Sequence, residues 1–403
     1  MRSAVAASFT VALAFLAWGC SAGAADVPVK CSSEVAPMTQ TRVVTAQNDL
    51  GFSLLHAAGG KNVFISPFSI AQALGVVYLG ARGATAKAFV KSSVVPPVDP
   101  SDFACALQNL RAGLPREDSD LALELANALW VRQGLSLKTS FVEKAKAAFG
   151  ADVTSLDFAS PDALRTINGW VSQRTKGHIP TILNSLGGAE AIVTNAVYFK
   201  ALWEEAFTPA LTSAGPFMGA TATTSIPFMN QTSTFSYYAG SGFELVRLGY
   251  RGDRFAMYVV LPKRGTGLAM QSTLPEAFAA ALAHATPRRV NLHLPKLHIA
   301  YQTDLVSPLT DIGLGVAFSD GADFGGISDN SLKIGSVIHK TTLDVDEAGT
   351  TATAATAVVM MATARYDPSV PIVVKVDHPF FCIIRDDKTG AVLFLGAISD
   401  LPG

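Results

Sequence analysis

Apolar positions along this chain change their spacing near its middle. Between residues 43 and 58 ("VVTAQNDLGFSLLHAA") Val44, Leu50, Leu54 and Leu55 fall near the spacing of one helix face. "SPFSIAQALGVVYLGA" offers the Ser66 hydroxyl as an N-cap, with Pro67 at the first helical position. "TSFVEKAKAAFG" (139–150) has Thr139 or Ser140 as cap and Gly150 as stop, and "SPDALRTINGWVSQRTKG" (160–177) runs from Ser160-Pro161 to Lys176-Gly177. The first half is therefore predicted as mostly helical. From residue 189 the pattern becomes that of strands. "AIVTNAVYFKALW" is a β-branched and aromatic run suited to a central strand. "ELVRLGYRGDRFAMYVVLP" reads as two strands around Tyr250 to Asp253, and "RVNLHLPKLHIAYQTDL" alternates. "IVVKVDHPFFCIIRDDKTGAVLFLGAIS" gives two or three apolar strands with a turn at Asp387 to Gly390. Helices first and strands later predict an α+β fold without a dividing linker or internal repeat.

Composition narrows the picture. The chain has 403 residues, 49% hydrophobic and 16% charged, which excludes disorder and calls for a large core. A net charge of −1 without a basic run argues against a nucleic-acid partner, since phosphate neutralisation needs clustered Lys and Arg. No phosphate loop, GxSxG elbow, HExxH pair or CxxC pair is present, and no spacing of Asp, Glu and His implies a metal or other cofactor. A hydrolytic enzyme would need a nucleophile, base and orienter that the sequence does not supply.

The first residues read as an export signal, with Arg2 ahead of the apolar run "AVAASFTVALAFLAWG". Two cleavage readings compete. Ala22-Gly23-Ala24 is a small-x-small site, giving a signal peptide of residues 1–24, while Ala17 to Cys20 is similar to a lipoprotein box with a signal ending at 19 and Cys20 as the lipidated residue. The expected location is extracellular or periplasmic, with membrane anchoring through Cys20 under the second reading. An oxidising compartment permits a disulfide, and Cys31 and Cys105, both in polar contexts, are the candidate pair. Cys382 sits in the apolar run "PFFCII" and reads as a core residue.

Five ordered segments carry a family resemblance: "NVFISPFSIAQALGVVYLGARGATA" (62–86), "LANALWVRQGLSLKTSFVEKAKAAFGADVTSLDF" (125–158), "INGWVSQRTKGHI" (167–179), "VTNAVYFKALWEEAF" (193–207) and "DHPFFCIIRDDKTGAVLFLGAISD" (377–400). In this order they resemble the serpins. The resemblance implies a domain from 43 to 402 behind an N-terminal extension at 25–42. It also implies three β-sheets with eight or nine helices and an exposed reactive-centre loop. By resemblance the activity is suicide inhibition: a protease cuts the loop, becomes acyl-linked, and is carried off as the loop inserts into the large sheet.

The resemblance puts the loop's hinge at Glu347, Gly349, Thr350, Thr351, Ala352, Thr353, Ala354, Ala355 and Thr356. An inserted central strand needs every backbone N–H and buries both faces, which excludes proline and inward charge. The segment meets both demands: Pro368 is its first proline, and Thr350, Ala352, Ala354 and Thr356 on one face and Thr351, Thr353 and Ala355 on the other are all small. Gly349 is expected to supply conformational freedom at the turning point. Family spacing places the reactive bond at Thr363-Ala364, which suits an elastase- or subtilisin-like target. Met361, Ala362 and Arg365 are alternative baits; Met361 would suit elastase- or chymotrypsin-like enzymes, and Arg365 trypsin-like ones.

By the same resemblance Ser66, Ser69, Asn195 and His339 form a polar cluster beneath the sheet, the shutter, and Trp203 marks the loop's entry, the breach. Arg251-Gly252-Asp253 is read as a hairpin turn rather than an adhesion motif. "DFACALQNLRAG" offers only Arg111, so no heparin-type cofactor is expected, and the protein is expected to be a monomer. The partner implied is a target serine protease, with cysteine proteases as a second class. The alternative reading is a non-inhibitory carrier or chaperone whose loop is only a substrate.

Overall fold

The computed structural model describes residue 31 and residues 35–58, 62–114, 120–350 and 370–403. Export signal, Cys20, hinge residues 351–356 and reactive-bond candidates 361–365 lie outside them. The elements are α1 (Pro37–Ala58), β1 (Asn62–Ile65), α2 (Pro67–Gly80), α3 (Gly83–Lys91), α4 (Pro100–Ala112), β2 (Leu121–Arg132), α5 (Thr139–Phe149), β3 (Asp152–Leu156), α6 (Pro161–Arg174), β4 (Ala191–Leu202), β5 (Ser213–Met218), β6 (Thr223–Ala239), β7 (Phe243–Gly249), β8 (Phe255–Pro262), α7 (Leu274–His284), β9 (Thr286–Pro295), β10 (Leu297–Asp304), α8 (Val306–Leu309), β11 (Ile334–Val345), β12 (Gly349–Thr350), β13 (Ile372–Lys375), β14 (Phe380–Asp386) and β15 (Val392–Ile398).

Local chemistry sets several boundaries. The Ser66 and Ser160 hydroxyls accept from the backbone N–H groups of Ser69 and Asp162 and so cap α2 and α6, each with proline in the first turn. α5 differs from expectation: its cap residue is Lys138, which makes no side-chain cap bond, while Gly150 ends the helix in the left-handed region. α1 begins at Pro37, so part of the segment read as an N-terminal extension is helical. No helix among the described residues is long and apolar enough to cross a membrane.

Hydrogen bonding gathers the strands into two sheets. One has six strands, ordered β10-β11-β12-β4-β2-β3, and the other has nine. The expected third sheet is continuous with the second because β6, 17 residues long, pairs with β5 and β9 over most of its length and with β7 at its end. β13 forms the far edge of this nine-stranded sheet, beside β9.

The six-stranded sheet positions the site. Its back face packs on α2, which is buried at every position except Leu79, with Val193, Val197, Phe199 and Ala201 of β4 in the main core. Its front face forms a second core of Ala126, Ala128, Trp130, Ile192, Ala196 and Ile338 under Ile167 and Val171 of α6. Both faces of this sheet are thus covered.

Candidate functional site

β4 and β11 lie side by side and parallel, in register from Ser336 opposite Ile192 to Thr342 opposite Tyr198, with a shift of one residue before the end pair Ile334 and Ala191. Above Thr342 they diverge, and the two-residue β12 fills the gap, antiparallel to both. Gly349 and Thr350 face Leu202 and Ala201 on one side, and Thr350 faces Val345 on the other. The first residues of the hinge are therefore already seated in the sheet.

The seat is closely fitted. A Cβ on Gly349 would lie 2.1 Å from the Ala201 carbonyl oxygen, a backbone atom that cannot turn aside. Glycine is needed here for close approach; Gly349 is not among the positive-φ glycines, which corrects the expectation of special torsional freedom. Thr350 is fully buried, with its hydroxyl 2.6 Å from that of Tyr250. The Tyr250 ring stacks on Trp203 at 4.7 Å. Trp203 in turn donates its indole N–H to the Asp346 carbonyl and its backbone N–H to the Ala348 carbonyl, both at 2.9 Å. Glu347 accepts from the Thr212 hydroxyl at 2.6 Å and pairs with Lys296 at 2.7 Å. Burial alone would raise the Glu347 carboxyl; these partners outweigh it and hold the group below its usual range.

Below the hinge, under the paired stretch of β4 and β11, the polar residues come together. His339 and Asn195 are directly paired across the ladder. The Ser66 backbone N–H donates to His339 Nε2 at 3.1 Å, so the ring proton sits on Nδ1, which donates to Asn195 Oδ1. The Asn195 amide then donates to the Ser69 carbonyl at 3.0 Å and to Asn127 Oδ1. Ser66 Oγ donates to the Leu393 carbonyl at 2.6 Å while accepting from the Ser69 N–H. The chain of donors closes only with a neutral imidazole, and burial pushes His339 down to about 3. Asn127, on β2, completes the cluster and was not singled out in the sequence.

Cys31 and Cys105 are disulfide-bonded, with Cα atoms 5.2 Å apart, tying the segment before α1 to α4. Cys382 is a buried free thiol on β14, pushed up to about 12 by burial. Arg251-Gly252-Asp253 lies in the turn between β7 and β8, with Gly252 at φ 80° and Asp253 at φ 51°.

This arrangement has counterparts among known proteins. The family model described as serpin (serine protease inhibitor) matches residues 45–401. An uncharacterized serpin-like protein of Thermococcus kodakarensis is 35% identical, over 88% of this chain and 84% of that protein. The leukocyte elastase inhibitor of Bos taurus is 33% identical, over 87% of this chain and 96% of its own length. The solved structure of human thyroxine-binding globulin with its ligand superposes with a TM-score of 0.83 at 25% identity, covering 90% of this chain and 99% of that one.

Proposed function

This chain belongs to the serpin family, and on that premise we propose that it is a suicide-substrate inhibitor of serine endopeptidases, with cysteine endopeptidases as a second class. One observation carries the reading: β12 is seated between β4 and β11 in two registers that agree with each other. Continued one residue at a time, they bring Ala352 opposite Phe199 and Leu343, and Ala354 opposite Val197 and Thr341. Thr356 would reach Asn195 and His339, which are already partners in the ladder. As far as residue 359 insertion needs no change of register, only separation of β4 from β11.

The steps follow from that geometry. The protease's nucleophile attacks the bait carbonyl, Thr363 in our reading, and the new amine leaves on Ala364, giving an acyl-enzyme. Freed from its C-terminal anchor, the hinge advances along the slot, and the His339–Asn195–Ser69 bonds open to admit it. Ala352, Ala354 and Thr356 would face the core over α2, while Thr351, Thr353 and Ala355 would pass beneath α6. Small side chains on both faces let the strand enter faster than bulky ones would. Met361, Ala362 and Arg365 remain alternative baits.

An exported setting fits the disulfide, which persists in oxidising compartments. The bovine relative's name makes elastase the first enzyme to try. The test mixes the protein with elastase, subtilisin, chymotrypsin and trypsin and looks for a covalent complex that survives denaturing electrophoresis. We expect such a complex with elastase or subtilisin and a fragment starting at Ala364. Loop cleavage without a complex across the panel would favour the carrier reading, of which thyroxine-binding globulin is the structural counterpart.

A further inference from the structure

β13 is the first strand described after the loop, and its exposed side is unusual. Val370 is 90% exposed and Val373 is 54% exposed, two of the few large apolar side chains left on the described surface. β13 is also the edge of the nine-stranded sheet, so among the described residues no strand pairs with its outer backbone. Next to Val373 opens a hollow of about 370 Å³, with Leu261 and Pro262 among its apolar walls.

The rim of this hollow is cationic. Lys263 and Arg264 stand on one side and Lys375 on the other. Arg264 is engaged with Asp377, but the Lys263 and Lys375 ammoniums have no ion-pair partner among the described residues. Glu244 is the lining carboxylate; it accepts from the Tyr237 hydroxyl and keeps its negative charge, which offsets one of the three cations. In a protein of net charge −1 this leaves a local excess of positive charge, carried by the two lysines, around an apolar floor.

Position decides what the hollow faces. Ala364 and Val370 are six residues apart, at most about 22 Å of extended chain. A serine protease of roughly 230 residues is about 45 Å across. An enzyme docked on Thr363-Ala364 therefore overlies β13 and its neighbours, with the primed-side rim of its cleft nearest to them.

Resting on the inhibitory reading above, we propose that the Lys263–Lys375 hollow is an exosite for the attacking protease, taking a carboxylate-bearing segment with a small apolar side chain from the primed-side rim. The lysines act before the chemistry. They speed encounter with acid-rimmed proteases and disfavour basic-rimmed ones, while loop insertion proceeds unchanged.

The test measures second-order inhibition rates of the four panel proteases, at low and at high salt, for wild type and for Lys263→Glu/Lys375→Glu. A Lys87→Glu/Lys91→Glu variant on α3 makes the same change in net charge away from the hollow. The hollow variant should lose about tenfold in rate at low salt against at least one trapped protease, and lose its salt dependence. Its inhibition stoichiometry and covalent complex should match wild type, and the α3 variant should keep the wild-type rate. Equal rates and salt slopes for wild type and the hollow variant against every trapped protease overturn the exosite alone. No covalent complex from wild type overturns the exosite together with the inhibitory reading.

Discussion

His339 is fully buried, and its imidazole is held neutral by a chain of donors that begins at the Ser66 N–H. An unfolded histidine takes up its proton near the ordinary value of about 6.5, whereas here uptake is pushed down to about 3. Between those values the unfolded chain binds more protons, so this contribution to stability is complete above about pH 6.5 and is lost as pH falls towards 3. At pH 4.5 the loss from this one group should be about 3 kcal/mol. Urea midpoints at pH 7.5 and 4.5 for wild type and His339→Gln check it: the variant should show the smaller acid loss, and equal losses would remove His339 as the cause. Legibility at this scale is uneven. Ser66, Ser69, Asn195 and His339 could be read through their surrounding motifs, but Asn127 lies in an apolar run, and nothing local marks a side chain whose partners sit on another strand. The place of Gly349 was legible and its reason was not, because the obstacle is the carbonyl of a residue 148 positions away.

Among the elements, β4 and the hairpins flanking residues 250–253 and 387–390 follow from their patterns, because β-branched runs and turn residues act locally. β2 does not. "LALELANALWVR" is rich in Leu and Ala, good helix formers, and becomes a strand because β3 and β4 pair with it on both sides. β1 is four residues long, and its ladder partner among the described residues is the distant β15. β12 is shorter still, and its position changes where the insertion test belongs. Thr350 is already buried in the native sheet, so a charge there would disturb the uncleaved protein. Ala354→Arg is the cleaner probe: its side chain would meet the dry core between Val197 and Thr341 only during insertion. Native melting should stay unchanged, while the variant is cut as a substrate and yields no covalent complex. Retained complex formation in Ala354→Arg would refute the register.

Across the whole molecule, the proposed insertion implies that the uncleaved state leaves stabilisation unrealised. Admitting residues 351 to 360 as a central strand would replace one β4–β11 ladder with two, a net gain on the order of 10 kcal/mol. Protein nicked within the loop should therefore melt more than about 10 °C above intact protein in calorimetry; coincident transitions would show that the strand never enters. The fold class was readable from the order of helices and strands, whereas the merging of two sheets through β6 depends on one long strand bridging distant partners. The β4–β11 ladder also has an end. Its last pair is Ile334 with Ala191, which the continued registers set against Met361 and Met360. Under the proposed inhibition the sheet would therefore be a ruler for the bait. A bond cut within its span would strand the captured enzyme partway along, while one at Thr363 lets it clear the final rung. Removing two residues between 356 and 361 would draw the bait back by about 7 Å, so on the inhibitory reading the length of this chain's loop, apart from its bait letters, would set where a captured protease comes to rest.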